Sequence, residues 1–434
     1  RYIHQNTHCD VLVAGGGVAG LAAALAAGRS GARVILAELQ CTLGGTAHRL
    51  LGTIDGMPAS EWVKKAEAEL ASLPTVKIIK RGVVFGYHDH NFLTIRESLT
   101  DHLPLGQRKG FRERLWRVRA KQVVLATGAH ERPMVFGNND LPNIMLSSAL
   151  ADYAQLYGVL VGKQIVLLTN NDTAYADALT LKAAGASVTV VDVRAGHSVA
   201  GGTAQKAHDA GIEVLRGYVP VQADGGAMVT SVTVCQQVGD KANGSRKTLS
   251  VDAVGMSGGW NPAIHLYSHS GGKALWSEAL ECFKPGASMP NQFSVGACNA
   301  TGTLAHTMTE AARAGAAAAT KAGFAATEAK YAVVEPSNEP IAPFWIAETG
   351  EKVSRRAKAF VDWQNDVGAA DIELAIREGF ESIEHIKRYT ALGFGTDQGK
   401  LGNINGMAIA ARAMGKTIPQ VGTTTFRPNY VPIS

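Results

Sequence analysis

Two stretches of the chain carry one pattern. Residues 10–38, DVLVAGGGVAGLAAALAAGRSGARVILAE, and residues 164–192, QIVLLTNNDTAYADALTLKAAGASVTVVD, have the same length and nearly the same apolar spacing. Each reads as an apolar strand, a loop, a helix rich in small and aliphatic residues, and a second strand, which is the repeating unit of a parallel α/β sheet. The units differ in the loop: Gly15, Gly17 and Gly20 in the first face Thr169, Asn171 and Ala174 in the second. Gly15 permits the tight turn, Gly17 lets the backbone approach a pyrophosphate, and Gly20 allows close packing of a helix whose positive end then faces the phosphates. That helix should begin at Val18 and end at Gly31. Glu38 closes the second strand, where an acid binds ribose hydroxyls and repels a 2′-phosphate, so NAD or FAD is expected rather than NADP. Side chains at Thr169, Asn171 and Ala174 would stand between backbone and pyrophosphate, and the second unit is expected to be structural.

The rest of the chain narrows the class. With 434 residues and 46% hydrophobic content it can bury a large core across two or three domains. The net charge of +5 is small, and the basic run RKGFRERLWRVRAK, Arg108 to Lys121, is expected to be a solvated hairpin, because no nucleic-acid-binding motif accompanies it. Five cysteines without close pairing (Cys9, Cys41, Cys235, Cys282, Cys298) imply packing roles and a cytoplasmic setting, and they exclude disulfide-reductase chemistry, for which Cys41 lacks a nearby partner. HDH at 88–90 and HLYSH at 265–269 lack a third ligand for a metal and read as surface or loop histidines. No apolar segment of spanning length and no signal peptide is visible. The chain starts without methionine and stops at RPNYVPIS, so it is expected to be a piece of a longer polypeptide.

Two later segments complete the first site. VVLATGAHERP carries Thr127 and Gly128 in a strand and turn, and FSVGACNATGTLAHTMTEAARAG carries Gly296, Thr301 and Gly302 in a strand, turn and helix. Residues 8–325 thereby resemble the flavoproteins with two dinucleotide-binding domains, the glutathione-reductase-like fold. Ala297 stands where flavin-binding members usually have an aspartate, which argues against FAD and leaves NAD, or another adenine nucleotide, in the same groove. The fold class expected is α/β of this type with a small helical C-terminal module. Residues 1–160 and 286–330 form the first domain, 161–285 the second with a degenerate nucleotide loop, and 340–434 the module. The candidate dinucleotide-binding residues are Gly15, Gly17, Val18, Ala19, Gly20, Glu38, Leu39, Gly44, Gly45, Thr46, Val84, Thr127, Gly128, Gly296, Thr301 and Gly302. No catalytic or metal-ligating residue is assigned.

In the module, IELAIREGF has helical spacing ending at Gly379, and GFGTDQGKLGN is a glycine loop suited to an anion before the helix INGMAIAARAMG. CDVLVAGGGVAGLAAA, RERLWRVRAKQVVLATGAHERP, FVDWQNDV, IEHIKRYTALGFGTDQGK and VGTTTFRPNYVP together resemble the alpha subunits of heterotetrameric sarcosine oxidases. The resemblance implies a tightly bound, redox-inactive NAD in the first site and an FMN held between this chain and a beta subunit. FAD in that beta subunit oxidises a secondary amine, and electrons pass through FMN to oxygen, giving hydrogen peroxide. It also implies small gamma and delta subunits, and a tetrahydrofolate-binding domain beyond the TTTFRP segment, outside this chain. Related opine-oxidase and cyanide-synthase subunits use the module for a two-iron cluster. With no cysteine after Cys298 that cluster is excluded, and Asp397 and Gly402 align with two of its ligands. Thr396, Gln398, Gly399 and Lys400 are the candidate FMN contacts. The alternatives are a subunit of a related amine, proline or opine dehydrogenase, a stand-alone FAD oxidoreductase, and a nucleotide-bound scaffold that docks subunits.

Overall fold

The computed structural model describes residues 2–424 and 426–431. Its first sheet is built around two long parallel strands, β1 (Tyr2–Ala14) and a later partner, with α1 (Val18–Gly28) and β2 (Val34–Ala37) completing the first unit. Next come α2 (Ala59–Ser72), β3 (Val76–Ile79), β4 (Gly82–His88), β5 (Phe92–Ser98) and β6 (Glu113–Leu125). The strand order is β3-β2-β1-β6-β5-β4, and β1 pairs in parallel with β6 over nearly its whole length, from Tyr2 against Glu113 to Ala14 against Leu125. The apolar run of β1 is buried because it lies between two parallel neighbours beneath helices.

α1 stops at Gly28, three residues before the expected end. Ser30 and Gly31 donate to Ala27 O and Gly28 O at 3.2 and 3.0 Å, tightening the helix end into a turn, and Gly31 (φ +82°) leads the chain toward β2. The basic run starts in the exposed turn 108–112 and continues into the first part of β6, which pairs antiparallel with β5; the expected hairpin is present, but one of its faces is core rather than solvated. Trp116, Val118 and Ala120 alternate inward into the core while Arg117, Arg119 and Lys121 point out. Its cations meet acids of the same domain: Arg114 pairs with Glu97 at 3.2 Å, and Lys121 with Asp10 at 3.0 Å.

The second sheet begins earlier than expected. Strand Ile144–Leu146 pairs with Val254–Met256, and α3 (Ser147–Tyr157) packs beside α4 (Thr173–Ala183), so the second domain starts before residue 144 rather than after 160. Parallel strands β7 (Gln164–Thr169), β8 (Ser187–Asp192) and β9 (Glu213–Arg216) follow, with β10 (Ala253–Ser257) in the order Ile144–Leu146, β10, β7, β8, β9. The segment after β10 leaves this domain. Trp260–Pro262 pairs with Ala129–Glu131, and Ile264, Leu266, Tyr267 and Phe283 join the core of the first sheet. The chain returns through β11 (Gln292–Ser294), which pairs with β6, to the long helix α5 (Leu304–Lys321) packed on α1.

The C-terminal module holds α6 (Ala369–Arg377), α7 (Ile383–Thr390) and α8 (Asn403–Met414). Asp371 accepts the Gly368 amide at 2.8 Å at the start of α6, and Gly379 (φ +95°) follows its end. Ile372, Ile383, Ile386, Leu392 and Met407 share one continuous core with Leu93, Trp116 and Val118 of the first sheet, so the module is built onto that domain. Buried polar contacts lock the join: Asn139 exchanges hydrogen bonds with the backbone of Phe360 at 2.8 and 2.9 Å, and Asn405 donates to Pro133 O at 2.9 Å.

Candidate functional site: an open nucleotide groove, a filled one and a buried histidine cluster

The glycine loop between β1 and α1 is closed on itself by sterics. A Cβ at Gly15 would lie 2.2 Å from Ala126 O and one at Gly20 only 1.8 Å from Gly15 O, whereas one at Gly17 meets no atom within 4 Å. Gly17 therefore faces open space at the α1 N-terminus, where Val18 and Ala19 follow, and no side chain caps that helix. An uncapped helix start with free amides is an anion site. Glu38 braces the loop, its Oε2 accepting the Gly16 amide at 2.6 Å and its Oε1 the Gln40 amide at 2.7 Å. The chain then crosses the loop: the Gly44 amide donates to Gly16 O at 2.8 Å, and Gly45, followed by Thr46, sits against Gly17. Leu39 is half exposed beside Glu38. Val84 is buried two residues past Gly82, whose amide donates to Glu38 O at 2.8 Å.

On the other side of β1, Gly296 lies so close to α1 that a Cβ there would be 2.8 Å from the Ala19 methyl. Gly128 (φ +76°) and Gly302 present open backbone, since a Cβ at either would touch nothing. The two threonines expected at this site turn inward instead: Thr127 Oγ1 donates to Ala263 O at 2.8 Å, and Thr301 Oγ1 to Glu310 at 2.7 Å. Glu310 also takes the Gly296 amide at 2.7 Å and Asn299 Nδ2 at 2.6 Å, so the acid missing at Ala297 is supplied from α5 and spent on the turn.

The second groove contains the protein's own groups. Asn171, one residue before the N-cap of α4, accepts the Thr173 amide on its Oδ1 at 3.1 Å. Asp172 accepts Arg194 Nη2 at 2.6 Å and the Glu339 amide at 2.6 Å. Asp192, which closes β8 as Glu38 follows β2, takes Arg194 at 2.8 Å and Tyr175 Oη at 2.7 Å. These residues lie among the most buried charges of the chain. Residues 339–342 run over them, with Ala342 O accepting Asn170 Nδ2 at 2.8 Å.

A third cluster joins the first domain to the module. Lys400 Nζ donates to Gln398 Oε1 at 2.8 Å and lies 4.9 Å from the Tyr430 ring centre; Tyr430 Oη is 3.1 Å from His130 Nε2. The His265 ring stacks 4.0 Å from Phe426 and 5.0 Å from Tyr430, centre to centre. His265 is 5% exposed, and among the described residues neither ring nitrogen has a hydrogen-bond partner. HLYSH is thus a short buried helix rather than a surface loop, because Tyr267 and Leu266 anchor it in the core. Burial, with Lys400 nearby, lowers the His130 pKa to about 4 and holds His265 well below its ordinary range. Burial lowers Lys400 to about 8. The neighbouring loop is partly self-satisfied: Gly399 donates to Asp397 at 3.0 Å and Thr396 to Gln364 at 3.3 Å. Sequence reasoning found Lys400, read His265 as a surface or loop histidine, and missed His130 and Tyr430, although ATGAHERP and RPNYVP carry them. Cys41 is exposed rather than packed; the other four cysteines are buried. No group of three or more metal ligands occurs among the described residues.

Fold and groove define a class. Residues 9–318 match the family model described as pyridine nucleotide-disulphide oxidoreductase, and the chain belongs to that family. Residues 356–434 match a second model, the sarcosine oxidase A3 domain. The chain is similar over its length to two proteins called sarcosine oxidase subunit alpha. That of Corynebacterium sp. (strain P-1) is 40% identical, covering 100% of this chain and 45% of the relative. That of Rhizobium meliloti (strain 1021) is 39% identical, covering 98% and 42%. The chain thus spans less than half the length of these relatives. An L-proline dehydrogenase structure from P. horikoshii shares the fold with a TM-score of 0.73 at 19% identity, covering 99% of this chain and 79% of that one. The resemblance to sarcosine oxidase alpha subunits and the two-domain flavoprotein fold read from the sequence are both borne out. No helix among the described residues is long and apolar enough to cross a membrane.

Proposed function

We propose that this chain is the nucleotide-binding part of a multi-subunit oxidase acting on sarcosine or a similar secondary amine. It binds one NAD as a structural cofactor and forms one wall of an FMN site shared with a beta subunit that holds FAD. The observation that carries the reading is the contrast between the two grooves. The first keeps open amides at α1 and an acid at Glu38, while the second holds Asp172, Arg194 and Asp192 where phosphate and ribose would lie. One dinucleotide therefore fits, and no second pyridine nucleotide has a place from which to reduce a flavin.

The residues divide the work. Gly15, Gly17 and Gly20 bring backbone to the pyrophosphate, Glu38 holds the adenosine ribose, and Gly128, Gly296 and Gly302 leave room for the second half. Lys400, with its neighbours Thr396, Gln398 and Gly399, offers a cation to the FMN phosphate. Burial keeps His130 and His265 neutral at pH 7, and they pack with Tyr430 beside Lys400. FMN, when bound, supplies electron transfer from the partner's flavin to oxygen, which yields hydrogen peroxide. The enclosing side chains exclude water and fix the flavin's orientation. Small gamma and delta subunits and a folate-binding domain outside this chain complete the assembly.

The test is to denature the purified protein and identify what it releases by mass spectrometry, beside a visible spectrum of the intact sample. NAD in near-stoichiometric amount, with FMN present only when partner subunits co-purify, is the expected result. FAD released from this chain by itself would overturn the reading.

A further inference from the structure

One linker of the chain enters both grooves. Val333 and Val334 pair with Ile54 and Thr53, and Ala332 is fastened to Asp55 at 2.7 and 2.9 Å, which fixes the next residue, Glu335. The Glu335 carboxylate accepts the Leu304 amide at 2.8 Å and the Ala305 amide at 2.9 Å, and Thr303 Oγ1 takes the His306 amide at 3.3 Å. The free amides at the start of α5 are thereby held by the chain itself. α1, in the same groove, has no side-chain cap and no acid in its first turn. Four residues past Glu335, the Glu339 amide binds Asp172 and its carboxylate pairs with Arg216 at 2.6 Å, in the second groove.

The strand order says what Glu335 meets. β2, which precedes Glu38, and β6 with β11, which leads to Gly296 and α5, lie on opposite sides of β1. A dinucleotide with its adenosine on Glu38 and its pyrophosphate at Gly17 therefore runs its second half toward α5. The pyrimidine edge of a flavin sets two carbonyl oxygens around a single N3–H donor and carries no positive charge, so its oxygens need N–H donors or a cation. A carboxylate is acceptor-only and repels them. The nicotinamide ring of NAD in its oxidised form is cationic, and its carboxamide can donate. Resting on the reading of the first groove as an NAD site, we propose that Glu335 is the residue that sets cofactor choice there: it occupies the α5 amides a flavin ring would use and faces the nicotinamide end with a negative charge. The groove keeps the phosphate cradle of a flavoprotein, yet at its far end it is closed to flavin.

The experiment compares the full-length polypeptide, purified with its partner subunits, with Glu335→Ala and Glu335→Gln. NAD and FAD released on denaturation are counted per chain by chromatography and mass spectrometry, with circular dichroism as the check on folding. The wild type should release NAD. Glu335→Ala should lose at least a tenth of it and gain FAD by a matching amount above the wild-type count. Glu335→Gln keeps an acceptor for one amide without the charge, so it should fold as the wild type while its NAD, after dialysis, falls about tenfold faster; it carries the test if the alanine variant fails to fold. NAD and FAD counts unchanged in the folded variants would overturn this inference and leave the NAD reading standing. A wild-type complex that releases FAD beyond one per beta subunit would overturn both.

Discussion

The guanidinium of Arg194 lies 2.6 Å from the carboxylate of Asp172 and 2.8 Å from that of Asp192, and all three side chains are at least 94% buried. In the second domain this internal triad stands where the first domain has the open backbone of Gly17. Removing the cation leaves two carboxylates out of water without compensation, which costs roughly 3–5 kcal/mol. Arg194→Ala should lower the free energy of urea unfolding by about that much and leave NAD content unchanged in the folded fraction. A loss under about 1 kcal/mol, typical of surface pairs, would show that the site is wetter than described.

Gly17 and Gly20 separate ligand from fold. A methyl at Gly17 meets nothing within 4 Å, so Gly17→Ala should leave the nucleotide-free protein within roughly 0.5 kcal/mol of wild type yet strip it of NAD, because the methyl takes the pyrophosphate's space. At Gly20 the methyl lies 1.8 Å from Gly15 O, and Gly20→Ala should destabilise by about 1–3 kcal/mol or more. Chemical denaturation beside nucleotide analysis distinguishes the two, and equal stability losses would contradict the open-groove geometry.

Glu38→Gln should weaken NAD binding by roughly 10- to 100-fold, the range for a hydrogen bond to a charged group of about 1.5–3 kcal/mol. It should also relax discrimination against a 2′-phosphate. Competition between NAD and NADP for nucleotide-free protein reads both effects; unchanged preference would mean that Glu38 serves only the loop.

The buried histidines predict an acid limit. His130 titrates near 4 and His265 well below its ordinary range in the folded protein, both through burial, against about 6.5 unfolded. Below pH 6.5 the unfolded chain therefore binds protons that the folded one does not, and stability falls as pH drops from 6.5 toward 4. Buried Glu131, raised by desolvation and Asp177, acts in the opposite sense over part of that window. The difference between wild type and His265→Phe cancels its contribution. The variant should lose less stability than wild type between pH 6.5 and 4, by about 1.4 kcal/mol for each pH unit that one histidine's shift spans. Identical pH profiles from urea unfolding would show that His265 is not buried as a neutral ring.

Lys400 should govern FMN retention. In the complex with partner subunits, Lys400→Ala should lower FMN per chain by roughly tenfold or more, as expected for a lost charge-assisted contact of about 1.5–3 kcal/mol. With its pKa lowered to about 8, wild-type retention should fall as pH rises above that value, and the variant should lose this dependence. Full FMN occupancy in Lys400→Ala would remove the loop from the proposed site.

Local chemistry made the two strand-loop-helix units, the glycine loop, Glu38 and the helix before Gly379 legible, because each is set by residues close in sequence: backbone reach, side-chain size and apolar period act over a few positions. The same economy explains why Lys400 stood out, since a lysine in a glycine loop signals itself. What tertiary structure decided lies where distant segments meet. Asp172 with Glu339, Glu335 at the start of α5, and His265 against Tyr430 are separated by tens to hundreds of residues, and no period or spacing announces them. The basic run forms the hairpin its composition suggested, but only pairing with β1 and β5 shows Trp116 to be core. The sequence by itself determined that one nucleotide loop was intact and the other altered. Only the fold decided what fills the altered one and what closes the far end of the intact one, because burying a charge requires a partner that the chain must bring from elsewhere.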